Sequence, residues 1–99
     1  MYKRVARFEV QYGKFRDARK ALENVTSLGQ KKGLTPTRHY ILEFGQSNVV
    51  IAEWEYKDFG QYERDTEAFL KDEELRTAWR EVIPHIVQGS LQDELWRPL

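Results

Sequence analysis

Four stretches of the chain alternate apolar and polar residues, and two others repeat apolar residues at spacings of three and four. Tyr2 to Val10 alternates and is rich in aromatic and branched residues, which predicts a half-buried strand. Gly13 interrupts that pattern. From Lys14 the period changes: Phe15, Ala18, Leu22 and Val25 share one helical face, and Arg16, Lys20, Glu23 and Asn24 share the other. Lys31 and Lys32 suit the negative end of a helix dipole, Gly33 can close the helix and Pro36 prevents continuation, so this helix ends before Gly33. Thr37 to Phe44 and Asn48 to Tyr56 read as two strands joined in a tight hairpin by Gly45-Gln46-Ser47. Asp58-Phe59-Gly60-Gln61 has the form of a capping box and starts a second helix, with an apolar stripe of Phe59, Tyr62, Phe69 and Leu70. The stripe resumes after Asp72-Glu73-Glu74 with Leu75, Trp79, Val82, Ile83 and Ile86. Asp72 is a candidate cap for a separate helical segment, and Pro84 should end or kink the helix near Ile83. Gly89-Ser90 leads into a last strand, Leu91 to Trp96.

This order, βαββαβ, predicts an α+β ferredoxin-like sandwich over residues 1–99, one domain with a four-stranded antiparallel sheet and both helices on one side. The strands, however, are apolar on both faces. Ala6, Phe8, Val10, Tyr40, Leu42, Phe44, Val50, Ala52, Trp54, Leu91 and Leu95 are read as the helix-covered face. Val5, Ile41, Val49, Ile51 and Trp96 are read on the other, interleaved with Arg7, Glu9, His39, Glu43, Glu53 and Glu55. Burying an aliphatic or aromatic side chain stabilises by roughly 1.5–3 kcal/mol, so a second apolar face calls for a cover. A second copy laid face to face, closing a two-fold dimeric α/β barrel, is the economical one. The alternative is a bent sheet covered by the chain's own C-terminal tail.

Composition narrows the function classes. Sixteen basic and sixteen acidic residues cancel, leaving no net field to draw the chain to nucleic acid or an anionic membrane. An RNA-binding module with the same element order would want basic residues on its central strands, where Glu53 and Glu55 stand instead. There is no cysteine, hence no disulfide or thiol nucleophile, and the alternating N-terminus does not read as a secretion signal; a cytoplasmic protein is expected. No apolar run is long enough to span a bilayer.

The run Asn48-Val49-Val50-Ile51-Ala52-Glu53-Trp54-Glu55-Tyr56, the capped helix after it, the acidic Asp72-Glu73-Glu74 turn, Trp79 and the early Gly13-Lys14 together resemble the NIPSNAP-like branch of the dimeric α/β-barrel superfamily. The resemblance implies a ferredoxin-like homodimer within a superfamily that includes cofactor-free monooxygenases, small-lactone isomerases and haem-handling proteins. It carries no catalytic residues over to this chain.

Candidate chemistry concentrates on the mixed face. His39 beside Ile41 and Glu43 is read either as a strand histidine satisfied by a neighbour or as a catalytic base. Arg7, Glu9, Glu43, Ile51 and Glu53 are candidate ligand-binding residues lining a barrel interior, with an interface ion-pair network as the plainer reading of the charges. Two histidines without zinc spacing predict no metal site, and His85 near a helix end reads as a partner for terminal carbonyls rather than a haem ligand; no cofactor is expected. The functional expectation is a homodimer that binds a small, partly apolar molecule between helices and sheet or inside the barrel. The alternative is a cofactor-free monooxygenase or isomerase in which His39 removes a proton from a phenolic or enolisable substrate and Arg7 stabilises the anion.

Overall fold

Period-two and helical segments assemble as β1 (Tyr2–Glu9), α1 (Phe15–Lys31), β2 (Arg38–Ile41), β3 (Val49–Tyr56), α2 (Phe59–Lys71), α3 (Glu73–Val82) and β4 (Gln92–Trp96) in a computed structural model that describes residues 1–99. A 3-10 turn, Ile83–His85, follows α3. The four strands form one antiparallel sheet in the order β2-β3-β1-β4, and the helices lie on one side of it, giving a βαββααβ ferredoxin-like α+β arrangement.

Local chemistry sets the breaks. The Asp58 side chain accepts a hydrogen bond from the Gln61 amide (2.8 Å) and the Gln61 side chain accepts one from the Lys57 amide (2.6 Å), so α2 begins where the capping pattern places it. Asp72 is extended (φ −95°, ψ 109°) and its carboxylate accepts from the Leu75 amide at 3.0 Å, which closes α2 and opens α3 as a separate helix. Lys32 at the end of α1 reaches Asp72 (2.7 Å) and Glu74 (2.8 Å), pinning that junction. The Lys32 hydrogen bond, then the Leu75 amide, hold the Asp72 carboxyl below its usual range. Pro84 falls inside the 3-10 turn, where α3 has already stopped at Val82.

The core is built from Phe8 and Val10 of the first strand and its extension, Ala18 and Leu22 of α1, Val50 of β3 and Val82 of α3, with Trp79 and Ile86 packed against it. It therefore sits between the central strands and the α1/α3 pair. Helix α2, in contrast, has no buried residue.

One strand departs from expectation. In a hairpin closed by Gly45-Gln46-Ser47 alone, Tyr40 and Leu42 would share a face with Ala52 and Val50. The observed register instead pairs His39 with Ala52, Tyr40 with Ile51 and Ile41 with Val50. The connection is longer, running from Leu42 to Asn48, and Phe44 on it is 89 % exposed. A shift of one residue moves every side chain of a strand to the opposite face. His39 and Ile41 thus join the helix-covered side, Tyr40 turns to the open side, and Glu43 leaves the sheet altogether for the exposed connection. The other strands keep their predicted faces.

Candidate functional site

A cavity of about 360 Å³ lies between the sheet and the helices. Its floor follows from the parity of the central strands: Arg4, Ala6 and Phe8 of β1 lie opposite Trp54, Ala52 and Val50 of β3. The paired alanines Ala6 and Ala52 leave room in the layer, and the larger Phe8 and Val50 next along the two strands belong to the packed core. Leu22, Val25 and Gly29 of α1, Tyr62, Asp65 and Phe69 of α2, and Leu75 and Trp79 of α3 form the roof. An unburied α2 explains why the space remains: α1 and α3 pack down on the core while α2 spans the gap.

Polar groups interrupt these apolar walls at defined points. The Arg4 guanidinium binds Asp93 of β4 in a bidentate pair, Nε to Oδ1 at 2.9 Å and Nη2 to Oδ2 at 2.6 Å, and its carbon lies 4.4 Å from the centroid of the Trp54 ring. Burial opposes the Arg4 charge, but Asp93 and the Tyr56 hydroxyl more than offset it, so its pKa lies above the ordinary arginine value. Tyr56 is itself buried, and burial raises its pKa despite the opposing effect of Arg4; the nearby Asp65 carboxylate adds to the rise. Tyr56 and Tyr62 meet edge to face at 5.5 Å. The Asp65 carboxylate accepts a hydrogen bond from the Thr35 amide (3.0 Å), and Gln61 donates to the Thr35 hydroxyl (2.9 Å), which ties α2 to the loop before β2. His39 lines the same cavity from β2, where burial lowers its pKa and favours the neutral imidazole.

The predicted site residues are divided by the sheet. His39 is on the cavity side. Arg7, Glu9, Ile51 and Glu53 are on the open side: Arg7 lies opposite Ile51, Glu53 is 3.5 Å from Lys3, and Glu9 accepts a hydrogen bond from Gln46 at 2.8 Å. Arg7 therefore cannot stabilise an anion formed at His39, because the sheet separates them. The cation that shares the cavity with His39 is Arg4. Its position was readable: Arg4 has the parity of Ala6 and Phe8, and a charged residue in the core-facing register of a strand is a signal for a site. Asp93 carried the same signal, standing between Leu91 and Leu95 in the core-facing register of the last strand, whereas Asp65 gave none, being one acid among the polar residues of α2 until that helix is placed.

The NIPSNAP family model matches residues 2–98. The chain belongs to the NIPSNAP family. A search of curated proteins finds no match. Among solved structures, a NIPSNAP domain protein from Burkholderia xenovorans superposes with a TM-score of 0.81 at 17% identity, covering 100% of this chain and 95% of that one. A NIPSNAP family protein of unknown function from Agrobacterium tumefaciens gives 0.81 at 14% identity, covering 99% and 87%. A putative antibiotic biosynthesis monooxygenase from Nitrosomonas europaea gives 0.76 at 11% identity, covering 100% and 99%. At these identities the likeness shows the ferredoxin-like fold that the NIPSNAP chain shares with the monooxygenase, and nothing of its chemistry.

Proposed function

We propose that this NIPSNAP protein binds a small, partly apolar molecule in the cavity between helices and sheet, as a homodimer joined through the open sheet faces, in the cytoplasm. The cavity carries the reading. Its volume falls within the range of small-molecule sites, its walls are mainly apolar, and Arg4, Tyr56, Asp65 and His39 supply a few polar points around them. Support for the dimer comes from the open face, where Val5 and Ile51 alternate with Arg7, Glu9 and Glu53, and where Trp96 is 57 % exposed. The absence of cysteine suits a reducing compartment.

Titration with 1-naphthol, followed by the fluorescence of Trp54 and Trp79 in the cavity wall, tests the binding reading; a saturable change is expected, and its absence refutes the site. Light scattering tests the assembly: a mass of twice 11.8 kDa is expected, and a monomer at all concentrations refutes the facing-sheet dimer. One observation favours a second reading, a cofactor-free oxygenase or isomerase. His39, whose neutral form burial favours, opens onto the same cavity as the Arg4 cation, so a proton could leave a bound enol or phenol for the imidazole while the anion turns to the guanidinium N–H groups that Asp93 leaves free. Loss of turnover in His39→Ala with binding retained would separate that reading from simple binding.

A further inference from the structure

Charge pairing in the cavity is uneven. Arg4, the only cation among the lining residues besides the neutral-favouring His39, is engaged by both carboxylate oxygens of Asp93. Asp65 has no such partner: its one hydrogen bond comes from the Thr35 amide, and no lysine, arginine or histidine lies within ion-pair distance of it. With Arg4 set against Asp93 and Asp65, one positive and two negative charges leave the lining at −1. The unpaired carboxylate stands on α2 among rings, one turn from Tyr62 and near Tyr56. A carboxylate beside aromatic faces, in a space partly shut off from water, favours a cation that can pair with the acid and lie against the rings. A ligand carboxylate would instead have to displace Asp93 from Arg4 and tolerate Asp65.

From this we propose that the cavity selects molecules that combine an aromatic-sized apolar body with a primary or secondary amine, the ammonium group pairing with Asp65 and the body lying over Ala6 and Ala52. The inference rests on the cavity being a binding site and adds the chemical class of its ligand. Asp65 then has two tasks: one oxygen fixes the loop at Thr35, the other faces the ligand.

Three probes of one shape test it: 1-naphthylmethylamine, 1-naphthalenemethanol and sodium 1-naphthoate, titrated into the full chain at neutral pH by calorimetry. The amine should bind about tenfold more tightly than the alcohol, a difference of about 1.4 kcal/mol, and the naphthoate most weakly. In Asp65→Asn, which keeps an oxygen to accept the Thr35 amide, the amine and alcohol should bind within about twofold of one another. Naphthoate binding tightest, or an amine advantage that survives Asp65→Asn, overturns the amine assignment while leaving the cavity reading intact. The order among the three probes on the unaltered chain decides the matter even if the variant fails to fold. Failure of all three to bind, or binding undiminished when Ala52→Leu fills the cavity, overturns the site itself.

Discussion

Replacing Ala52 with leucine asks whether the space between helices and sheet is real room. Ala52 is 4 % exposed, sits opposite Ala6 on one side and His39 on the other, and belongs to the cavity floor. Leucine adds three carbon atoms. At about 0.8 kcal/mol for each buried methylene equivalent the gain approaches ~2.4 kcal/mol, and fixing the new side chain costs about 0.5–1 kcal/mol. A net stabilisation of about 1.5 kcal/mol follows if the leucine enters open space. For a domain of this size that raises the midpoint of thermal unfolding by roughly 6–12 °C. The compactness of the unfolded chain makes this an upper bound.

The sign is the diagnostic quantity. If the layer were close-packed, the same substitution would force side chains off their rotamers and cost about 1–3 kcal/mol. Urea unfolding at one fixed protein concentration measures the difference, with the slope of the transition showing whether the same surface is exposed in both proteins. A midpoint raised or unchanged at equal slope, together with loss of 1-naphthol binding, is the expected pair of results. A loss of more than about 1 kcal/mol at equal slope would mean that the floor has no room, and would refute the cavity as a binding site.

Three further outcomes are expected. Burial lowers the His39 pKa, so the unfolded chain takes up the proton first; stability should therefore rise with pH between the lowered folded value and about 6.5, by no more than about 1.4 kcal/mol per unit, and level off above. Subtracting the curve of His39→Gln should isolate that rise, and two parallel curves would contradict it. Ile51→Glu places a charge at the centre of the open face and should convert dimers to monomers in light scattering without unfolding them; an unchanged mass would rule out that face as the interface. Asn48 is 7 % exposed and donates to the Val10 carbonyl at 2.9 Å, so Asn48→Leu should cost about 1–3 kcal/mol in urea unfolding by stranding that carbonyl, and a smaller loss would show that water satisfies it.

The order of elements was legible because each boundary has a local chemical cause: the Asp58 cap, the extended Asp72, Pro84 and the glycine after α1 act within a few residues of themselves. Faces were legible where a strand is long. The parity of β1 and β3 is set by eight residues each and holds in the structure, so Ala6, Phe8, Val50 and Ala52 lie under the helices. The layer between helices and sheet was legible as one of two places for a ligand, but the cavity's lining was not, since it depends on how α2 sits over the sheet, which is decided by packing between helices rather than by any periodicity within one.

The face of β2 illustrates the limit most clearly. Tyr40, Leu42 and Phe44 alternate as a buried face should, and burial beneath helices is the ordinary reason for such a pattern. Yet the strand ends at Ile41, Tyr40 points to the open side and is 48 % exposed, and Phe44 is 89 % exposed. Three large apolar side chains in contact with water are costly for a lone chain, and the cost is removed if they meet a partner. Under the facing-sheet arrangement Tyr40 turns toward the second copy, beside Ile51, its neighbour in register. The alternation would then record burial against another molecule rather than against the chain's own helices. A one-residue register shift also carried His39 away from Arg7 and into the cavity with Arg4, so the same shift that exposes an apolar stripe supplies the cavity with its imidazole.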